Sequence, residues 1–421
     1  MSLSASSSGT ALVYDPQDPA VRMDPFPLYR RLQDAEPLHW SPVLKSWILT
    51  RYDDVKQVAL NRDMSPDRLT PFFKTLPDAQ RSILQEVIRY LNLWLVFRDP
   101  PEHTRLRRLL QAAFTPRAIE GLRPNIASLV EELLDRLEER SKTQGRVDLI
   151  ADFAMLLPAL VIMDMLGVPR DKLADIKAWS DDMVVFIGSA RGVPDKYERA
   201  RHGAQQMSGF FRGLIAERRA EPREDFISAL IAARDETAAD GPERLSEDEL
   251  VATCMLLLFA GHETTTNLIG NAALMLMRNP EQREKLQARP DLIVGAVEEF
   301  LRYDGPSNSL ARVVATTHEM HGATLKEGER VFAMLNAANR DPRQFEDADR
   351  LDIERSPNRH LTFGQGIHFC LGATLARNEG QLAINGLLER FPHMRPAEDE
   401  PEQWMDALIM RGMRRLPVDL V

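Results

Sequence analysis

A long apolar segment with a defined beginning and end constrains the fold of this chain more than any other feature. Ser246 and Glu249 stand in the arrangement of a capping box, which starts a helix. Asn279 and Pro280 mark its end, because proline cannot continue a helix. About thirty residues lie between these signals, which corresponds to ~50 Å of helix. A helix this long and apolar is expected to cross the interior, so we predict a helical fold built around it.

Charge and cysteine content exclude several classes of protein. The 421 residues contain 53 Lys and Arg against 63 Asp and Glu, a net charge of −10. Such a chain has no overall attraction to nucleic acid or to anionic lipid. The two cysteines, Cys254 and Cys370, are too few for a disulfide scaffold or a four-cysteine metal site. They also indicate a reducing compartment, and we expect Cys254 to lie in the core.

The sequence lacks the pattern of a secreted or membrane-spanning protein. Its first residues have neither the basic start nor the apolar centre of a signal peptide. The most apolar stretches, residues 153–163 and 251–261, are shorter than the ~20 residues that a membrane helix needs. We therefore predict that both are buried core helices.

The chain is organised as one unit, because no repeat and no flexible linker divides it. Residues 1–20 are expected to form a flexible tail and residues 21–421 a single domain. The pattern is mainly α with small β-sheets. Helices are predicted at 124–141 and 292–303, and strands at 47–50, 312–320, 323–325 and 330–334.

The ten residues from Phe363 to Gly372 contain the strongest chemical signal. Two glycines precede Cys370 and one follows it, and glycine permits close backbone approach to a ligand. A helix predicted at 370–381 places the cysteine at or just before a helix N-terminus, where N–H groups stabilise a thiolate. Such a thiolate could be a nucleophile or a metal ligand. For a lone cysteine, a buried structural role is the commoner alternative.

The spacing of five residues in this loop resembles the haem-binding loop of the cytochrome P-450 family. The matching positions are Phe363, Gly364, Gly366, Cys370 and Gly372. The resemblance implies that Cys370 is the thiolate ligand to the iron of haem b. It also implies that Phe363 packs beside the haem and that the loop glycines let N–H groups approach the sulfur.

Residues 260–265, inside the long helix, resemble a second segment of that family, which lies over the distal face of the haem. Ala260 and Gly261 begin it, and we expect Gly261 to permit a widened turn that makes room for a small ligand. Glu263 beside Thr264 forms an acid–alcohol pair suited to proton delivery. In isolation, Thr264 could equally bond back to a helix carbonyl while Glu263 faces solvent. At the family position we interpret both as catalytic and His262 as a packing or supporting residue.

Two further groups match family positions. Glu299 and Arg302 share a helix face and resemble the family's Glu-x-x-Arg pair, with Arg355 where its third member is expected. This trio is implied to be structural. The second group resembles the residues that bind the haem propionates, since arginine suits carboxylates. Its members are His103, Arg107, Arg312 and His368.

The resemblance extends over nearly the whole chain and implies a fold as well as an activity. The fold is a triangular prism with a small β-rich lobe and a long central helix over the haem. The soluble bacterial class is implied, with a cytoplasmic location. Electrons are implied to come from a ferredoxin or flavodoxin-type donor with an NAD(P)H-dependent reductase. We expect the donor to dock on a basic patch formed by Arg105, Arg108, Arg117 and Arg377.

The implied activity is that of a monooxygenase, which uses O₂ as co-substrate to hydroxylate or epoxidise an apolar small molecule. Three alternatives remain at this point: a peroxide-driven peroxygenase, a non-catalytic haem sensor or carrier, and a helical binding protein without haem. The acid–alcohol pair argues against the peroxygenase. The substrate pocket is expected to include Leu256, Phe259, Ala260, Asn308, Leu310 and Ile409.

Overall fold

Helices make up most of the chain. A computed structural model describes residues 12–187, 193–234 and 244–420. The helices are α1 Pro19–Met23, α2 Phe26–Ala35, α3 Tyr52–Leu60, α4 Leu69–Thr75, α5 Asp78–Ile83, α6 Gln85–Leu91, α7 Glu102–Ala113, α8 Pro116–Gly121, α9 Arg123–Gln144, α10 Leu156–Leu166, α11 Leu173–Ile187, α12 Lys196–Ala220, α13 Phe226–Ala232, α14 Glu247–Arg278, α15 Pro280–Ala288, α16 Ile293–Tyr303, α17 Leu335–Ala338 and α18 Ala373–Arg390.

The strands form several small sheets. They are β1 Leu38–Ser41, β2 Ser46–Leu49, β3 Met64–Ser65, β4 Val147–Asp148, β5 Ser309–Val314, β6 His318–Met320, β7 Ala323–Leu325, β8 Arg330–Met334, β9 Arg395–Pro396, β10 Gln403–Trp404, β11 Met413–Arg415 and β12 Pro417–Asp419. The largest sheet has the order β1-β2-β8-β5-β3, in which β2 and β8 are parallel and the other neighbours antiparallel. The predicted class, mainly α with small sheets, is confirmed.

Helix α14 is the central element that the sequence predicts. Both halves of its capping box form: the Glu249 N–H donates to the Ser246 hydroxyl at 3.3 Å, and the Ser246 N–H donates to the Glu249 carboxylate at 2.8 Å. Most side chains along the helix are buried, because it packs against α10, α12, α16 and α18. Cys254 is among them, as expected.

Two predicted elements have different bounds for local reasons. The strand predicted at 312–320 is divided into β5 and β6, because the chain leaves the sheet at Ala315, whose N–H donates to the Asp63 carbonyl at 2.7 Å. The helix predicted from Cys370 begins three residues later, at Ala373. The Cys370 N–H instead donates to the Phe363 carbonyl at 2.9 Å, which closes the loop before the helix starts.

The N-terminal region is partly packed on the fold. Residues 1–11 of the predicted tail lie outside the described residues. Tyr14, also assigned to that tail, is buried with its ring stacked on Tyr29 at 6.0 Å, and α1 begins at Pro19. Among the described residues, no helix is both long and apolar enough to cross a membrane.

A buried charge cluster on α16 supports the chain that leads to Cys370. Glu299 and Arg302 are completely buried and form a two-pronged ion pair with both N···O distances at 2.7 Å. Arg355 joins Glu299 at 3.2 Å. The structure therefore brings together the three residues of the predicted structural trio.

The remaining hydrogen-bonding groups of this cluster also have partners. Arg302 donates to three backbone carbonyls, and Glu299 accepts from one backbone N–H and one side-chain amide. These partners are Asn339, Ala348 and Arg350 for Arg302, and Asp352 and Asn358 for Glu299. On the next turn, the Leu301 carbonyl accepts from the Thr362 hydroxyl at 2.6 Å. Helix α16 thus fixes the start of the cysteine loop.

Candidate active site

An apolar cavity of about 410 Å³, which we call the inner cavity, lies between the middle of α14 and the cysteine loop. Cys370 and Phe363 line it from the loop, and Ala260 and Thr264 line it from the helix. Ala260 is exposed although residues 249–259 before it are buried, because its side chain faces this space. The two segments that carry the predicted chemistry therefore share one cavity.

The Cys370 thiol faces the inner cavity rather than bulk solvent. It has accessible surface, yet protein surrounds it, and this burial raises the pKa of the thiol. The Gly372 N–H, Arg107 and Arg377 oppose that shift because each favours the thiolate. The contact with the Gly372 N–H matches the expectation that backbone donors approach the sulfur.

Two glycines give the loop its shape. Gly364 and Gly366 have φ angles of 73° and 66°, in the left-handed region that side chains rarely adopt. A Cβ on Gly366 would also lie 2.9 Å from a methyl carbon of Leu60. The tight turn at these positions directs the following chain back toward Phe363.

Phe363 is held from the side away from the cavity. The Arg377 guanidinium lies over its ring at 4.5 Å and donates to both oxygens of Glu298 at 2.7 and 2.8 Å. Arg377 and His360 hold the pKa of Glu298 at about 2, against the opposing effect of burial. Because Glu298 belongs to α16, the loop is tied again to the element that carries the buried charge cluster.

Basic groups with few protein partners gather at the edge of the cavity. His103 and His368 lie with ring centroids 4.2 Å apart, and the structure gives no hydrogen-bond partner to either ring nitrogen of His103 or to Nε2 of His368. Burial lowers their pKa values to about 4 and about 3, so both rings are neutral at pH 7. Arg312 is buried and donates to the adjacent Ala311 carbonyl at 2.9 Å. Arg107 donates to the Phe369 carbonyl at 2.7 Å.

A sequence model of one protein family, described as Cytochrome P450, matches residues 45–416. The chain belongs to the cytochrome P450 family. This membership places the cavity and the cysteine loop in a known chemical setting, in which a cysteine thiolate ligates haem iron. The P450 fold expected from the sequence is also shown, because solved P450 structures superpose on nearly the whole chain.

Individual P450s resemble the chain over almost all of its length. Cytochrome P450 107B1 of Saccharopolyspora erythraea is 43% identical, with 89% of each chain covered. A vitamin D(3) 25-hydroxylase of Pseudonocardia autotrophica is 39% identical, with 94% of each chain covered. A solved structure of P450BioI, in complex with acyl carrier protein ligated by hexadec-9Z-enoic acid, has a TM-score of 0.85 at 36% identity, covering 95% of this chain and 99% of that one. The chain is thus a monooxygenase that acts on a small molecule, and the other three interpretations are not favoured.

The residues around the inner cavity fit a haem. A thiol faces an apolar space that Arg107, Arg312 and His368 also line, with His103 packed against His368. Ring nitrogens of His103 and His368 have no hydrogen-bond partner in the described structure. Buried donors without partners are costly, so their clustering indicates an acceptor that belongs there. The two carboxylates of a haem have the required charge and hydrogen-bonding capacity.

The acid–alcohol pair of this P450 has a third member that sequence reasoning undervalued. The Thr264 hydroxyl donates to the Ala260 carbonyl at 3.0 Å, while Glu263 turns toward His262, with Oε1 3.3 Å from Nε2. His262 Nδ1 lies 2.7 Å from the Leu258 carbonyl, which can only accept, so Nδ1 carries a proton. Burial opposes ionisation of both groups, but their mutual contact prevails: the pKa of His262 is raised and that of Glu263 lowered.

Gly261 serves packing rather than a widened turn. Residues 247–278 form an uninterrupted α-helix, and a Cβ on Gly261 would lie 2.9 Å from a side-chain carbon of Ile162 on α10. The prediction of a widened turn is therefore wrong. Glycine is needed here because α10 and α14 approach closely above the cavity.

Five of the six predicted pocket residues line the inner cavity: Leu256, Phe259, Ala260, Leu310 and Ile409. Asn308 does not. Its amide accepts from the Tyr29 hydroxyl at 3.1 Å and donates to the Leu408 carbonyl at 3.1 Å, so it joins buried segments and is unavailable to a substrate. The sequence also predicts that residues 183–193 contribute to the pocket wall, and residues 188–192 of this segment lie outside the described residues.

The predicted basic patch is smaller than expected. Arg105 is paired with Glu249 at the start of α14, and Arg377 with Glu298, so neither is a free surface charge. Arg108 and Arg117 are exposed. Ile367 and Phe369 of the cysteine loop are also exposed, by 48% and 38%.

Two titratable residues at the cavity had no pattern that would have identified them in the sequence. Glu379 on α18 is 1% exposed, lines the inner cavity, and has its pKa raised well above the usual range by burial. Arg68 lines the same cavity from the loop before α4. Arg68 lies far along the chain from the cysteine loop, so only the fold brings it to the site, whereas Glu379 reaches the site on the helix that follows the loop.

Proposed function

We propose that Cys370 is the thiolate ligand to the iron of haem b and that the enzyme hydroxylates or epoxidises an apolar small molecule in the inner cavity. The observation that carries this proposal is that Cys370 and Thr264 line one apolar cavity, with basic groups that have few protein acceptors at its edge. When bound, haem supplies the one-electron chemistry that activates O₂, the co-substrate.

The basic residues are proposed to hold the haem propionates. Arg312 and Arg107 provide positive charge, and the neutral rings of His103 and His368 provide N–H donors. Phe363, Gly364, Ala260 and Gly261 are proposed to contact the cofactor, Phe363 through the ring that Arg377 supports. These groups belong to α7, α14, β5 and the cysteine loop, so the cofactor would also join these elements.

Glu263, His262 and Thr264 are proposed to deliver protons. The His262–Glu263 pair holds a proton inside α14, next to the cavity that Glu263 lines. Lys177 and Asp181 on α11 act on this pair electrostatically and are half exposed, so they connect it to solvent. The Thr264 hydroxyl donates to the helix and keeps its lone pairs for a hydrogen bond from the cavity.

The substrate class follows from the wall of the cavity. Leu256, Phe259, Leu310 and Ile409 offer apolar surface, which excludes water and favours apolar molecules. The relatives named above act on or hold a vitamin D and a fatty acyl chain, both of which are extended and apolar. An apolar small molecule of this kind is the proposed substrate.

Electrons are proposed to arrive from a ferredoxin or flavodoxin-type protein reduced by an NAD(P)H-dependent reductase. The exposed face near Cys370 combines Ile367 and Phe369 with Arg108 and Arg117, which suits a small acidic partner. We further propose a cytoplasmic location, where NAD(P)H is supplied, and a single domain that includes the chain from Tyr14 onward, because Tyr14 packs on Tyr29.

Replacement of Cys370 tests the central assignment. The reduced wild-type protein with carbon monoxide is expected to show the red-shifted Soret band of thiolate ligation, and Cys370→His is expected to lose this band together with monooxygenase activity. Cys254→Ser is the matched control, because Cys254 is buried away from the cavity. A Cys370→His protein that retains the band would contradict the proposal.

A further inference from the structure

A second cavity, which we call the outer cavity, adjoins the inner one. It has a volume of about 510 Å³ and aromatic walls that include Phe72, Phe186 and Tyr197. Phe72 and Phe186 lie with ring centroids 6.0 Å apart. Arg68, Phe97, Ile187, Ala311 and Arg312 line both cavities, so the two spaces meet at these residues.

Basic side chains outnumber acidic ones on the described wall of the outer cavity. Among the described residues that line the outer cavity, Asp406 carries the negative charge, against the basic side chains of Arg68, Lys196, Arg312 and Arg330. The inner cavity, by contrast, is mainly apolar where α14 faces it. A molecule spanning both would therefore meet positive charge at one end and apolar surface at the other.

Arg68 stands at the junction with little to balance its charge. Its Nη2 donates to the Ile187 carbonyl at 3.1 Å, and its guanidinium lies over the Phe97 ring at 5.2 Å. In the described part of the chain, no carboxylate lies within ion-pair distance of it. Burial and the nearby Arg312 and Arg330 lower the pKa of Arg68 to about 10, so the group is charged at neutral pH.

A charged guanidinium enclosed by protein is costly unless an anion accompanies it. The haem propionates are one source of anion, but Arg107 and His368 line only the inner cavity, and His103, proposed for the same role, packs against His368. Arg68 instead faces an aromatic-walled space that leads toward Cys370. A ligand with one carboxylate and an apolar chain matches this sequence of surfaces.

We propose that Arg68 binds the carboxylate of an amphipathic monocarboxylic acid substrate whose apolar chain extends from the outer cavity into the inner cavity. The inference rests on the proposed function, because it places the chain beside Thr264 and the haem that Cys370 is proposed to ligate. It makes Arg68 a residue that determines specificity, and it predicts oxidation on the part of the chain distant from the carboxyl group.

Two probes that differ in the head group test this inference: dodecanoic acid and 1-dodecanol. Binding to the haem-loaded protein is measured at pH 7.5 by calorimetry and by the shift in iron spin state. We expect the acid to bind wild type at least ~10-fold more tightly than the alcohol, since an Arg–carboxylate contact is charge-assisted and can be two-pronged. In Arg68→Gln, the acid should lose this preference while alcohol affinity is unchanged.

The control variant is Arg62→Gln, because Arg62 is exposed and lines neither cavity. It should keep the preference of wild type. If Arg68→Gln does not accumulate, Arg68→Lys serves instead, and its acid affinity should fall several-fold because an ammonium group cannot bind both oxygens at once.

Equal affinity of wild type for acid and alcohol would overturn the inference. An Arg68→Gln protein that still prefers the acid would also overturn it. If that variant also has a lowered haem-to-protein ratio, Arg68 is assigned to the haem propionates instead. Calorimetry does not depend on iron chemistry, so failure of the proposed function appears separately, as a missing thiolate band.

Discussion

Two buried clusters of charged and polar groups lie within this molecule, and they differ in how completely protein atoms satisfy them. Glu299 and Arg302 are wholly buried, and their bonds to each other, to Arg355 and to backbone groups use nearly all their capacity. His103 and Arg312 are almost as buried. In the described part of the chain, however, the ring nitrogens of His103 lack partners and Arg312 donates only to the neighbouring carbonyl.

The difference indicates which buried charges serve the fold and which serve a ligand. A buried polar group without a partner destabilises a protein, so evolution retains it only where something else completes it. On this criterion, the cluster on α16 is structural and the basic groups at the inner cavity belong to the cofactor site. Arg68 resembles the second cluster, which is why it supports a substrate proposal.

The largest expected effect comes from breaking the satisfied cluster. Glu299→Ala leaves Arg302 and Arg355 buried beside a missing carboxylate, and loss of one partner of a buried pair costs ~3–5 kcal/mol. We expect misfolded or haem-free protein that excess haem does not rescue, as measured by circular dichroism and the Soret absorbance. Glu354→Ala is the control, because its ion pairs with Lys285 and Arg289 are exposed and contribute little.

A folded, haem-loaded Glu299→Ala protein would break the comparison. It would mean that completeness of hydrogen bonding does not mark a structural cluster here, and the roles assigned to the second cluster would lose their basis.

The next effect compares two threonines with the same local bonding. Thr264 and Thr266 each donate to the carbonyl four residues earlier, at 3.0 and 2.8 Å, but only Thr264 lines the inner cavity. Thr264→Ala should keep substrate affinity and NAD(P)H consumption, while product per NAD(P)H falls and hydrogen peroxide rises. Positioned acid–base groups are worth ~10²–10⁴-fold, so the drop in coupling should be at least ~10-fold.

Thr266→Ala should leave coupling unchanged, since its hydroxyl is buried within the helix packing. Equal coupling in Thr264→Ala and wild type would show that protons reach the cavity by another route.

Most of the architecture and the location of the site were predictable from the sequence, because local signals agree there. The capping box at Ser246 and Glu249 sets the start of α14, and the glycines around Cys370 shape its loop. These are short-range patterns whose meaning does not depend on distant residues.

The details that sequence could not supply depend on contacts between distant segments. Gly261 permits close approach to Ile162, and Asn308 is occupied by Tyr29 and Leu408. The sequence places Arg377 in a basic surface patch, but in the structure it is paired with Glu298. In each case, the partner rather than the residue determines the role, and only the fold identifies the partner.

A smaller effect is expected at the unsatisfied cluster. Arg312→Leu removes a buried charge that lacks an acidic partner within ion-pair distance in the described structure, so the fold should survive while haem is held less tightly. Hydrogen bonds to charged groups contribute ~1.5–3 kcal/mol, so haem loss to apomyoglobin should accelerate at least ~10-fold. Excess haem should restore the Soret band, unlike in Glu299→Ala. The control is Arg343→Leu, which replaces an exposed arginine and should retain haem as wild type does. Unchanged haem retention in Arg312→Leu would show that Arg312 has no role in cofactor binding.

The smallest effect concerns a charge at the surface of the protein. Arg108 is exposed on α7, next to Arg107, whose guanidinium bonds the Phe369 carbonyl of the cysteine loop. The attraction between Arg108 and an acidic electron donor at this face would act through solvent. Salt screens such an attraction over ~10 Å at 0.1 M. Arg108→Glu should therefore slow reduction by the donor only a few-fold at low salt, and the difference should vanish as salt rises. Stopped-flow reduction measures this, with Arg395→Glu as a charge-matched control on strand β9, an element of a separate sheet.

Because Arg108 is not buried, the substitution should leave stability and haem content unchanged, which separates it from both buried clusters. If the rate responds neither to salt nor to Arg108→Glu, the donor docks through the exposed Ile367 and Phe369 without electrostatic guidance, or at a different face.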